Sequence, residues 1–102
     1  MQKESKRYVI VRSKSAGCFA GELQWSKSEL AGVEVLLSNC RRLWYWDGAA
    51  SLSQLAVEGT VKPETCKFSV PTSLHNVFEV IEVIEVSAMA RRSIEEVSKW
   101  TA

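Results

Sequence analysis

Histidine occurs once in this chain, at position 75, and proline twice. No serine, cysteine or acid stands at a recognisable spacing from His75, so the residues of a nucleophile and base pair are missing. A lone histidine in a polar loop is ordinarily solvated structure. No glycine-rich phosphate loop and no cluster with metal-ligand spacing is present, and no cofactor is implied. Cysteine is scarce as well: Cys18, Cys40 and Cys66 are odd in number and more than twenty residues apart. They fit neither a zinc pattern nor a disulfide framework, and read as reduced, mostly buried thiols in a cytosol.

Charge of one sign is also lacking. Thirteen Lys and Arg against twelve Asp and Glu leave a formal charge of +1, which argues against a broad footprint for DNA, RNA or an anionic membrane. A small local cationic pocket stays open. No run approaches the roughly 18 apolar residues of a membrane helix, and MQKESKRYVIVR lacks the apolar stretch of a signal peptide. The expectation is a protein that remains in the cytoplasm where it is made.

What is present suits one compact domain over residues 1–102, with 46% hydrophobic and 25% charged residues. After a polar, frayed Met1 to Ser5, RYVIVR (Arg7 to Arg12) is rich in β-branched residues and predicts a strand. From Cys18 to Trp25 the alternation of a half-buried strand is clean, with Phe19, Gly21, Leu23 and Trp25 on one face. SKSELAG reads as a turn-rich linker and VEVLLS (Val33 to Ser38) as a third strand, in a hairpin or meander. If Arg41 to Trp46 is extended, Arg42, Trp44 and Trp46 share one face, and Arg41, Leu43 and Tyr45 the other.

Ser51 to Gln54 fits a capping box and Gly59 a left-handed terminator, so a short helix is predicted at about 51 to 58. CKFSV reads as a short strand between two loops, TVKPET and PTSLHN. VFEVIEVIEV, residues 77 to 86, has a period of three, but its continuous Val, Ile and Phe favour a strand. Ser87 as N-cap and a second capping box from Ser93 to Glu96 predict a helix around 88 to 96. The fold class is therefore α+β, mostly β: an antiparallel sheet with one or two short helices. Several strands are apolar on both faces, so something besides those helices must cover the sheet. Self-association is expected to do so, and a closed barrel would serve the same physics without a partner.

The segment RRLWYW is the most concentrated chemistry in the chain. Arginine forks match phosphate oxygens and aromatic faces accept a nucleobase, so Arg42 beside Trp44 and Trp46 makes a reasonable nucleotide platform. A core strand with an arginine at its exposed end fits the same spacing. Arg91 and Arg92 carry the same two readings, a phosphate clamp or solvated helix surface.

RYVIVRSKSAG, NCRRLWYWDGAASLSQLAVEGTVKPETCKFSV and EVIEV ahead of RRSIEEVSKW together resemble a small phage and prophage family. That family includes the Thoeris anti-defence proteins of the first type, and R-x-W-Y-W-x-G-A-x-S-L-S-Q-L-A is the longest stretch of the match. The resemblance implies a sponge in the cytoplasm of an infected bacterial host. Such proteins bind the glycocyclic ADP-ribose signal of Thoeris defence without cleaving it, and some relatives also sequester cyclic oligonucleotides at a separate site. It further implies dimers that can build into hexamers.

On that resemblance, Phe68 is expected to stack on adenine, Asn76 to bond polar edges from a mobile lid, and Arg91 and Arg92 to hold the pyrophosphate. Arg41, Arg42, Trp44 and Trp46 are candidates for a second ligand site or for the oligomer interface. Leu43, Trp44, Tyr45 and Trp46 are expected to be mostly core and subunit interface, with one of the two arginines free to meet phosphate. The alternative is a phage accessory module of the same fold that binds another protein and no nucleotide. A hydrolase of the same signal is disfavoured by the missing catalytic groups.

Overall fold

The computed structural model describes residues 7–30 and 32–101; the polar Met1 to Ser5 stretch lies outside them. Five strands, β1 (Tyr8–Ser13), β2 (Gly17–Glu29), β3 (Gly32–Tyr45), β4 (Lys67–Phe68) and β5 (Thr72–Glu85), are joined by two helices, α1 (Leu52–Glu58) and α2 (Ala88–Glu96). Every strand pairing is antiparallel. β1 pairs with β2, β2 with β3, β3 with β5, and β5 back with β1, so four strands close a ring and β4 adds to β3 outside it.

Closure explains the apolar residues on both faces of the strands. Along β1, Val9 and Val11 join Phe19, Val35, Leu37, Cys40, Val77 and Val80 in one buried cluster enclosed by the ring. Tyr8 and Ile10, one step out of phase, join Leu43, Phe68, Leu55, Ala56, Ala90 and Ile94 in a second cluster beneath the helices. The domain thus has two cores separated by one layer of backbone. The ring supplies, within one chain, cover that the sequence assigned either to closure or to a partner.

A ring of so few strands needs sharp bends. Between Ala20 and Glu22 the β2–β3 register shifts, and on β3 the extra residue is Asn39, at φ 48°. Asparagine is among the side chains that tolerate this left-handed region. Opposite it, a Cβ on Gly21 would lie 3.0 Å from the Ser38 carbonyl oxygen and 3.1 Å from the Cys40 Cα. Gly21 is therefore where β2 can press against the bulge. On β5 the comparable position is Glu79, at φ 55°, beside the register shift opposite Val33 and Val35.

The helices form where their caps place them. Ser51 accepts from the Gln54 amide at 3.1 Å, and the Gly59 N–H, at φ 77°, donates to the Leu55 carbonyl. Ser87 accepts from the Ala90 amide at 3.0 Å. The second capping box does not form: Ser93 lies inside α2, and its hydroxyl accepts instead from the Thr60 amide at 3.0 Å, tying α2 to the segment after α1.

Two segments read as loops are strands. Ser26 to Glu29 continues β2 because Ser26, Lys27 and Ser28 find register partners in Val35, Glu34 and Val33. Thr72 to Asn76, within PTSLHN, opens β5, with His75 opposite Leu37 and Asn76 opposite Leu36. Ser73 and Asn76 are exposed there, His75 leans on the core Phe19 ring, and the backbone stays in the ladder. No helix among the described residues is long and apolar enough to cross a membrane.

Candidate functional site

β3 carries Arg41 and Arg42 to opposite sides of the ring wall, as strand alternation requires. Arg41 turns under the helices and is 3% exposed. Its Nε donates to the Ser69 carbonyl at 2.8 Å, and its Nη1 donates to the carbonyls of Ile94 at 2.9 Å and Val97 at 2.7 Å. Ile94 and Val97 sit at the end of α2, where unpaired carbonyls concentrate partial negative charge. Arg41 therefore caps α2 from another element. Burial lowers its pKa from the usual arginine value. Arg42 lies over the Phe19 ring at 4.6 Å and donates from Nη1 to the Ala16 carbonyl at 2.9 Å. Arg41 is therefore no open phosphate fork, whereas Arg42 is tethered at one nitrogen and its Nε and Nη2 take no acceptor among the described residues.

The aromatic neighbours also divide. Trp46 packs against the core beneath the helices, whereas Trp44 is 53% exposed and Tyr45 49% exposed, so these two are not core residues of the chain. Trp44 meets Trp100 edge to face, with centroids 5.2 Å apart. Truncating it to alanine removes that contact and the buried half of the indole, so Trp44→Ala is expected to cost about 1–3 kcal/mol, less than a fully buried indole. A thermal melt of the variant checks this; the several-kilocalorie loss of a buried indole would contradict it.

The four residues expected to form one nucleotide pocket are not brought together. Phe68 is fully buried in the core, with no face left for adenine. Asn76 lies on β5 and donates from Nδ2 to Glu34 at 3.0 Å, so it belongs to a ladder and not to a lid. Arg91 is held by Glu22 at 2.5 Å and Glu95 at 2.9 Å, and lies over the Tyr8 ring at 4.7 Å. Its hydrogen bond is the main cause of the lowered Glu22 pKa.

Arg92 differs from the other three. It is exposed, it makes no ion pair among the described residues, and it lines a groove of about 330 Å³. Met89 and Arg92 contribute from one face of α2, Thr60 and Pro63 from the segment after α1, with Ser93 and Glu96 completing the lining. An arginine fork beside apolar Met89 and Pro63 can take a charged head and a flat apolar body together.

A second cleft, of about 250 Å³, was not legible in the sequence. Tyr8, Asn39, Arg41, Pro71 and Glu95 line it, from four separate elements or connections. The i to i+4 spacing of Arg91 and Glu95 was visible, but nothing along the chain ties either residue to Tyr8 or Asn39.

The remaining reactive side chains are quiet. Burial pushes the Cys40 thiol up to about 12, and all three cysteines are free. His75 contacts Thr72 Oγ1 at 3.1 Å and tilts against Phe19, and burial lowers its pKa. Among the described residues no group of three His, Cys, Asp or Glu side chains is placed to hold a metal ion.

No curated protein and no solved structure matches the chain. Residues 6–94 match the family described as a domain of unknown function, DUF6948, a span that takes in all five strands, α1 and the whole RRLWYW segment and stops within α2, before Glu95, Glu96 and Val97. The chain belongs to that family.

Proposed function

We propose that this domain is a non-enzymatic binding module that sequesters a cyclic nucleotide immune signal, glycocyclic ADP-ribose foremost, and leaves it chemically intact. In that role it holds off Thoeris-type defence in the cytoplasm of an infected bacterial host. The observation that carries the reading is the uncommitted Arg92 guanidinium over the groove between α2 and Thr60 to Pro63. The ligand is doubly phosphorylated and carries a base. Arg92 supplies a bidentate donor for phosphate, Met89 and Pro63 supply apolar walls, and Glu96 can accept from sugar hydroxyls or an exocyclic amine. The resemblance through R-x-W-Y-W-x-G-A-x-S-L-S-Q-L-A names the ligand.

The test mixes purified protein with glycocyclic ADP-ribose, filters, denatures the retained protein by heat and assays the released small molecule by mass spectrometry. Intact ligand, depleted from the filtrate and recovered on denaturation, is the expected result. Arg92→Ala should weaken binding by about 1.5–3 kcal/mol, the worth of a hydrogen bond to a charged group. Its melting should not change, because Arg92 is exposed. Ligand left in the filtrate would overturn the reading, and cleaved ligand would show an enzyme.

A protein-interaction module is the second reading, and β5 favours it. Leu74, Phe78 and Ile81 are 63%, 59% and 54% exposed along that strand. Large apolar side chains grouped in this way mark contact surfaces. The filtration assay separates this reading from the first: an interaction module leaves glycocyclic ADP-ribose in the filtrate, whereas a sponge retains it whatever its assembly mass.

A further inference from the structure

We propose that the cleft lined by Tyr8, Asn39, Arg41, Pro71 and Glu95 binds a compact carboxylate whose neighbouring carbon carries a hydroxyl or ammonium group. The argument starts from a hydroxyl with nothing to bond. Tyr8 is 4% exposed, and its phenol oxygen is buried without a hydrogen-bond partner among the described residues. Native interiors pair nearly all such groups, so an orphan at the wall of a cleft marks a position that something else fills.

Arg41 supplies the second donor. It is buried against backbone carbonyls and makes no ion pair among the described residues, and its Nη2 reaches only the Phe68 carbonyl, at a long 3.5 Å. A phenol O–H and an under-used guanidinium N–H in one cleft call for an oxyanion. The third wall has the opposite chemistry. Glu95 accepts at Oε2 from Arg91 Nε at 2.9 Å, while its Oε1 takes no bond among the described residues, leaving an acceptor for an ammonium or hydroxyl.

Size narrows the class. At about 250 Å³ the cleft falls below the range for drug-sized ligands, roughly 300 to 1,000 Å³, and suits a metabolite of few atoms. Pro71 offers it one apolar wall. This site is distinct from the Arg92 groove, with which it shares no lining residue, and does not depend on the nucleotide reading.

The test is a titration of the full ¹⁵N-labelled chain with lactate, alanine, acetate and inorganic phosphate, read by amide and arginine Nε–H shifts. Lactate or alanine should give saturable shifts at the Arg41 side chain and at the amides of Tyr8, Asn39 and Glu95, with acetate binding more weakly. Tyr8→Phe, which removes only the orphaned hydroxyl, should remain as stable as the parent and bind about tenfold more weakly. Glu95→Gln should erase the preference over acetate. The proposal is overturned if no carboxylate shifts these signals, if phosphate saturates where carboxylates do not, or if Tyr8→Phe binds like the parent. Unchanged discrimination in Glu95→Gln would overturn the assignment of the hydroxyl or ammonium requirement.

Discussion

Arg41→Met should destabilise the fold by about 2–5 kcal/mol, because three carbonyls lose the Arg41 donor at once, the Ile94 carbonyl alone keeping another in the Val97 N–H, and each unsatisfied group costs about 1–3 kcal/mol. Those carbonyls belong to Ser69, after β4, and to Ile94 and Val97, at the end of α2. One side chain on β3 therefore fastens two other elements. Methionine nearly fills the same volume, so the loss isolates the hydrogen bonds and the charge at the helix end from packing. Relief of guanidinium desolvation, visible in the lowered Arg41 pKa, offsets part of the cost. Arg42→Met is the control: its one carbonyl bond is exposed, and its loss should cost about 1 kcal/mol. Urea unfolding of the two variants makes the comparison. Equal midpoints would mean that Arg41 is not the clamp on α2.

The strand alternation that separates Arg41 from Arg42 was legible in the sequence, and so were the helices, since Ser51, Gly59 and Ser87 act within their own neighbourhood. The closing pairings were not. The β2–β3 hairpin was expected, but the return of β5 to both β3 and β1 is decided between distant residues, and the bulges at Asn39 and Glu79 carry no strong local signature. The proline and polar residues of PTSLHN read as a loop, whereas the membership of Thr72 to Asn76 in β5 is decided by backbone pairing with β3. The candidate site suffered most. The family resemblance placed Phe68, Asn76, Arg91 and Arg92 in one pocket, but burial, ladder pairing and ion pairing engage the first three elsewhere. Tyr8 showed nothing in the sequence beyond its place at the start of a strand; its unpaired hydroxyl exists only once α2 and β3 enclose it.

Phe68 gives the clearest test of this distinction between position and burial. Phe68→Ala is expected to cost about 3–5 kcal/mol, since the side chain is fully buried and the surrounding core can collapse only in part. Its strand, β4, has two residues, so packing of this one ring, more than ladder hydrogen bonds, keeps β4 against Leu43. The Arg41 guanidinium lies over the ring at 5.6 Å, and the Phe68 carbonyl accepts from the Trp100 amide at 2.9 Å. Losing the ring should thus loosen the C-terminal segment along with β4, and Trp100 should become more mobile and more solvated, visible as a red shift in tryptophan emission. Phe68→Leu, which keeps most of the volume, should cost about 1.5 kcal/mol or less. A residue that stacked on a nucleobase would behave in the opposite way: its alanine variant would melt like the parent and fail only in ligand binding. A large fall in stability with a graded response to the size of the replacement identifies Phe68 as the anchor of the helix-side core.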